Sequence, residues 1–336
     1  LKIVRLAVGV ALFGWVLART DAPEALARLL GAPWALAAIV AIPFLGAAIE
    51  AIRLHLLFEA QGLDVSIPYA YRIVAIATLF NFTLPGGTGG DALKLYYLCG
   101  RHRGRVLEIG TTLLADRIIA LFAFIVVTLA LGLAVLTEVL DIPSIRSLYV
   151  FLAAVGAALL LGAAFLGSAR LRRSALLERG RGRFFPPGSR VERVGRAVAT
   201  LASNRAASVK ACAISAVGHI ALAAMFVVAG AVILPDAGPM TVCFLSLLGL
   251  LANALPLTPG GLGVGEAAFD RLFGLAGHAG GAALLLAWRA AIIPVGALGM
   301  WWYARGAGSG GALRPDQVPE PGTAPPLSRD LPGGAG

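Results

Sequence analysis

The sequence predicts an all-α integral membrane protein with six full transmembrane helices plus two re-entrant half-helix hairpins in two inverted repeats. Three observations predict it. Apolar residues make up 58% of the 336 residues and charged ones 14%, where soluble domains run near ~25% charged. Mean hydropathy is +0.84, which leaves too little polar surface to cover a water-soluble globule of this length. Two apolar stretches break at proline- and glycine-rich points that correspond to each other along the chain.

Composition also excludes several classes. Cys99, Cys212 and Cys243 lie within or beside apolar runs and form no CxxC pair or disulfide framework. His55, His102, His219 and His278 show no ligand spacing and are read as without a chemical role, so no metal and no cofactor are expected. The net charge of +10 is concentrated in one inter-helix stretch, so nucleic acid is not an expected partner.

A helix needs ~20 mainly apolar residues to cross a bilayer. Full spans are read at 6–19, 34–58, 106–136, 148–167, 209–234 and 281–303. The first is short and follows Lys2 and Arg5, so two readings stand for it: a retained helix, or a signal peptide without a clear small-residue cleavage site. Trp15, Trp34, Trp301, Trp302 and Tyr303 suit interfacial anchoring.

Between Ser168 and Lys210 eleven basic residues face only Glu178 and Glu192, a net charge of +9. The positive-inside bias places that loop in the cytoplasm, with both termini on the same side of a cell (inner) membrane. Within it, 180–190 is read as a loose segment near anionic headgroups. Arg101, Arg103, Arg105 and Arg305 join that face only if the apolar stretch from Tyr69 to Leu98 enters and leaves on one side. From Gly306 onward 14 of 31 residues are glycine or proline, and this tail is expected to be disordered.

The first break runs Asn81-Phe82-Thr83-Leu84-Pro85-Gly86-Gly87-Thr88-Gly89-Gly90-Asp91. The second runs from Asn253 through Pro256, Pro259, Gly260, Gly261 and Gly263 to Glu266. Proline removes a backbone donor and glycine opens conformations closed to other residues, so neither helix continues through. Irregular backbone at membrane depth persists only where protein or a wet cavity surrounds it, so each break reads as the tip of a re-entrant hairpin, at about 69–100 and 240–277. Asn81 and Asn253 are 172 apart, Pro85-Gly86-Gly87 and Pro259-Gly260-Gly261 are 174 apart, and Leu113-Leu114-Ala115 with Arg117 matches Leu285-Leu286-Ala287 with Arg289 at 172. Residues 1–147 and 148–305 therefore read as two repeats. The orientation makes them inverted, and broken helices at matching places in inverted halves point to a midplane substrate site.

Charges within the membrane are costly and are usually paired or functional. Glu50 and Arg53 share a helix face, so they either neutralise each other or leave Arg53 for a lipid phosphate. Asp116 and Arg117 are adjacent, and each needs a partner from another element. Arg117 and Arg289 occupy matching positions; they either converge on a phosphate or hold carbonyls freed at their own hairpins. The half-helices beginning near Gly89, Gly90 and Gly263 would present first-turn N–H groups to an anion, with Asp91 and Glu266 competing as caps. Lys94, one turn on, is placed to pair with Asp91. Glu266 and Asp270 are like charges four apart, so one of them holding a proton is one reading, and Glu50, Glu266 and Asp270 are the candidates for proton coupling.

At Arg53, LFNFTLPGGTGGDALKLYYL, LLADRIIAL, LPLTPGGLGVGEAAF and LLAWRAAII the chain resembles the lysylphosphatidylglycerol synthase transmembrane family, also called the flippase-like domain family. The resemblance covers about residues 3–303. It implies a bundle with re-entrant helices that moves lipids or lipid-linked headgroups between leaflets. The cytosolic aminoacyltransferase domain of bifunctional members has no counterpart here, so that activity is not carried over.

The leading reading is a lipid flippase, not an enzyme, whose partners are a phospholipid or a polyprenyl- or hopanoid-type lipid. One alternative is a membrane enzyme acting on a lipid phosphate, disfavoured by the lack of a DxD or DDxxD cluster. The other is a secondary transporter for a small anion. No GxxxxGK[ST] sequence is present, so direct use of ATP is not expected.

Overall fold

Long runs that are apolar on every side bury their backbone polar groups in helices and leave side chains for either a core or lipid. The computed structural model describes residues 22–81, 89–135, 137, 141–167, 200, 204–253, 258 and 261–306. Among them are ten helices: α1 Ala22–Leu30, α2 Pro33–Ala60, α3 Ile67–Phe80, α4 Gly89–Arg101, α5 Val106–Ala134, α6 Pro143–Gly167, α7 Arg205–Ile233, α8 Pro239–Asn253, α9 Val264–Leu275 and α10 Gly281–Ala304. The protein is a multi-pass membrane protein. Five of these helices, α2, α5, α6 (as Pro143–Phe165), α7 and α10, are long and apolar enough to cross a bilayer.

These five match five of the six expected spans, with ends shifted by a few residues; α6 starts at Pro143 where the sequence reading began at 148. The expected span at 6–19 and Trp15 lie outside the described residues, as do residues 168–199 of the basic loop and the tail from 307. Apolar side chains on these helices also point outward. Leu161 is 70% exposed, Ile293 66% and Phe151 64%, as lipid-facing groups should be. Trp34, at 62%, and Trp301, at 47%, sit near helix ends, where an aromatic belt belongs.

The short helices come in two pairs. At 1.5 Å per residue, α3, α4, α8 and α9 each reach only ~18–23 Å, short of a ~30 Å hydrocarbon core. Helix α3 packs on α4, and α8 on α9. The open end of the first pair lies beside the C-terminal end of α10, where Tyr71 meets Trp302 edge-on at 5.8 Å and the backbone of Ala75 lies against Gly299. The open end of the second pair lies beside the N-terminal end of α10, where Phe273 packs against Gly281.

The two segments 33–134 and 205–304 correspond helix by helix. The starts of α2 and α7 are 172 apart, as are those of α3 and α8, while those of α4 and α9 are 175 apart. Their packing corresponds as well. Helix α2 lies against α7, α3 against α10 as α8 against α5, and α5 against α7 as α10 against α2. Two large cores result. One, around Phe226, Phe244, Phe269 and Phe273, joins α7, α8, α9 and α10 to α5; the other, around Phe58, Ile73, Ile76 and Ile109, joins α2, α3, α4 and α5.

Candidate functional site

Helices α2 and α7 can approach closely because small residues face each other: Gly218 lies against the Ile49 side chain, and Ala47, Ala51 and Ala211 are buried nearby. Between them, α3 and α10 lies a cavity of about 280 Å³. From α2 it is lined by Glu50 and Arg53 beside Pro43, Gly46 and Ala47; from α7 by Ser215, Gly218, His219, Leu222 and Met225. Asn81, at the end of α3, and Trp288 of α10 close it. Pro43 withholds an N–H from the α2 ladder, which frees the Ile39 carbonyl one turn earlier.

Six charged side chains cluster at one end of the cavity. Arg53 grips Asp116 in a two-pronged bond, Nε to Oδ1 at 2.5 Å and Nη2 to Oδ2 at 2.9 Å, and donates through Nη1 to Ser215 Oγ at 3.1 Å. Arg53 is 7% exposed and Asp116 3%. Lys94, 4% exposed, donates to Glu50 and lies 3.5 Å from Asp91. Arg117 donates from Nε to the other Asp91 oxygen at 2.5 Å. Three acids and three bases thus balance, which is what makes ionised groups tolerable in an apolar bundle. The expected pairing of Lys94 with Asp91 is present, and Asp116 and Arg117 each find a partner on another helix. Glu50 and Arg53 do not neutralise each other directly: Glu50 takes Lys94 and Arg53 takes Asp116.

The second pair of short helices repeats part of this arrangement. Arg289 contacts Glu266, Nε to Oε1 at 2.7 Å, and donates from Nη2 to Asn253 Oδ1 at 2.8 Å. Glu266 is fully buried, and its Oε2 accepts from the Gly263 N–H at 2.7 Å, so it caps α9. Asp91 and Glu266 therefore stand at equivalent places, each paired to the arginine of the following long helix. Asp270 is exposed and so stands in a different environment from Glu266.

The asparagines hold these turns shut. Asn81 Oδ1 accepts from the Gly90 N–H at 3.1 Å. A Cβ on Gly90 would fall 2.2 Å from that oxygen, and a Cβ on Gly265 would fall 2.3 Å from Asn253 Oδ1. Gly263 has φ +80°, a left-handed conformation that side chains rarely adopt. The first-turn donors expected to face an anion are thus used within the chain at Gly90 and Gly263.

Of the residues expected from sequence, the structure brings Glu50, Arg53 and Asn81 to the cavity wall. It places Asp91, Lys94, Asp116 and Arg117 in the network behind it, and Asn253, Gly261, Gly263, Glu266 and Arg289 in a second cluster at the other turn. Arg117 and Arg289 bind carboxylates at separate turns, so they do not share one phosphate position here. Pro85, Gly86, Gly87, Pro259 and Gly260 lie outside the described residues. Sequence reasoning missed Ser215, His219 and Trp288. His219, read from the sequence as without a chemical role, lines the cavity, donates from Nε2 to the Ala120 carbonyl at 3.1 Å and meets Phe124 edge-on. The 172 offset held the missed signal, because it sets Trp288 against Asp116.

The model of a family described as lysylphosphatidylglycerol synthase TM region matches residues 2–299 of this chain. No curated protein and no solved structure gives a match.

Proposed function

Because the chain belongs to the lysylphosphatidylglycerol synthase TM-region family, we propose that it moves a phospholipid or lipid-linked headgroup between leaflets. The observation that carries this reading is the cavity itself: a charge-lined space of about 280 Å³ inside an apolar bundle. That volume lies at the lower edge of small-molecule sites. It suits a headgroup, while acyl chains stay in the hydrocarbon.

In this reading the two pairs of short helices are re-entrant hairpins of two inverted repeats. Support comes from their open ends at opposite ends of α10 and from the matched packing of segments 33–134 and 205–304. The positive-inside bias sets the face bearing Arg101, Arg103, Arg105 and Arg305, with both termini, in the cytoplasm of a cell (inner) membrane. Relative movement of the halves exposes the cavity to one leaflet and then the other. Arg53 and Ser215 meet the phosphate.

The test is leaflet exchange in proteoliposomes of purified protein, with fluorescent phospholipids and lipid-linked sugars read by dithionite quenching. Exchange of at least one lipid well above protein-free vesicles is expected. Rates equal to empty vesicles across the panel would refute the proposal.

A further inference from the structure

The helices that build the cavity correspond in pairs, but their chemistry does not. At the 172 offset, Gly46 matches Gly218, and both line the cavity. Glu50 and Arg53 correspond to Leu222 and Met225, while Ser215 and His219 correspond to Pro43 and Ala47; all eight line the cavity too. Behind the wall, Lys94 corresponds to Phe269 at the 175 offset of α4 and α9, and Asp116 corresponds to Trp288. Glu50, Arg53, Lys94 and Asp116 are each replaced by an apolar side chain in the second segment, while Asp91 and Arg117 keep charged counterparts in Glu266 and Arg289.

The pairing of α2 with α7 sorts these residues in space. Arg53 bonds Ser215, and Ile49 lies against Gly218, so the helices run antiparallel and Pro43 falls level with Met225. Glu50, Arg53, Ser215 and His219 therefore share one end, toward the face that carries Arg101, Arg105 and Arg305. Pro43, Ala47, Leu222 and Met225 form the other. At the polar end Lys94 and Asp116 stand behind Glu50 and Arg53. At the other end the corresponding support is Phe269, fully buried against Phe226 and Phe273.

We infer that the cavity is a one-ended lipid site: it takes the headgroup at the Glu50–Arg53–Ser215–His219 end and the adjoining apolar part of the same molecule at the Leu222–Met225 end. A scaffold of matched halves with matched chemistry would hold a headgroup equally well from either side. This one does not, because among the described lining residues the charged side chains, Glu50 and Arg53, stand at one end, and a charged headgroup at the Leu222–Met225 end meets no opposite charge. The two leaflets are then served unequally, with tighter capture from the arginine-bearing face. The inference rests on the reading that the occupant is a lipid.

Photo-crosslinking in nanodiscs of phosphatidylethanolamine and phosphatidylglycerol tests it. One probe phospholipid carries a diazirine on the headgroup, a second on an upper acyl carbon, and labelled peptides are mapped by mass spectrometry. Headgroup label should favour residues 50–57 and 211–219 over 36–47 and 222–230 by about tenfold, the ratio that ~1.4 kcal/mol of preference gives. The acyl probe should show the reverse. In L222E/M225R, which copies the charged pair to the second end, headgroup label should spread to 222–230. If that variant does not fold, S215A/H219A should lower headgroup label at the polar end and leave the acyl label in place. Equal headgroup label at both ends of the wild-type cavity, or an excess at the apolar end, would overturn the inference. Absence of both labels from the cavity would overturn it together with the lipid reading. A polarised map in a protein that shows no leaflet exchange would uphold the one-ended site and refute translocation.

Discussion

Replacing Asp116 with Asn leaves the largely buried Arg53 without its carboxylate. The guanidinium is 7% exposed; it loses its counter-ion and one of the two bonds of 2.5 and 2.9 Å, since asparagine offers one acceptor oxygen where the carboxylate offers two, and its other described partner is the neutral Ser215 hydroxyl at 3.1 Å. Breaking a buried pair from one side costs about 3–5 kcal/mol, whereas replacing both partners with apolar groups is often near neutral. The second half of the protein already shows such a solution, with Met225 and Trp288 at the corresponding places. Arg53→Met with Asp116→Leu should therefore be far more stable than Asp116→Asn alone. At roughly 2 °C per kcal/mol for a chain of this size, the single variant should lose ~6–10 °C of melting temperature in detergent and the double variant about 3 °C or less. A double variant as unstable as the single one would refute the claim that charge burial, rather than shape, sets the cost. The double variant should also lose leaflet exchange despite its recovered stability, since Arg53 lines the cavity.

Gly90→Ala and Gly265→Ala should each abolish function or expression, because the new Cβ would meet an asparagine oxygen at 2.2 or 2.3 Å, while Gly46→Ala, with nothing within 4 Å, should express and melt like wild type; fluorescence-detected size exclusion separates these outcomes. Arg289→Gln leaves the fully buried Glu266 without its cation and should lower the melting temperature by several degrees, at ~3–5 kcal/mol. Arg117→Gln, at a half-exposed site, should leave stability near wild type and lower lipid exchange through its effect on Asp91. In a background lacking Cys99, Cys212 and Cys243, cysteines at Gly104 and Gly238 should react with an impermeant maleimide from opposite faces of intact cells. Reaction of both from one face would overturn the inverted arrangement.

Five of the spans were legible because crossing a bilayer imposes length and apolarity on each segment separately, and the ends of α2, α5, α7 and α10 fell within a few residues of expectation. The short paired helices were legible from proline and glycine, which act locally. What sequence could not settle was which charge meets which. Glu50 and Arg53 share a helix face, and Lys94 was assigned only to Asp91, three residues away. The choice of Lys94 for Glu50 and of Asp116 for Arg53 is made by the crossing of α2 with α4 and α5, a property of the packed bundle. His219 shows the same limit: a lone histidine on an apolar helix carries no pattern, and only the crossing of α2 with α7 turns it toward the cavity.

The ion pairs described here each join helices within one segment: Arg53 to Asp116, Lys94 to Glu50 and Arg117 to Asp91 in the first, Arg289 to Glu266 in the second. Bonds across the seam, Arg53 to Ser215 and His219 to Ala120, have a neutral hydroxyl or carbonyl as acceptor. In the movement proposed above, each of these described ion pairs would stay within its own segment. Parting the seam would have to separate hydrogen bonds of about 0.5–3 kcal/mol each together with the apolar packing of α2 on α7 and of α5 on the second core. The seam is thus closed by apolar packing and neutral acceptors, while the described charges are settled inside each segment.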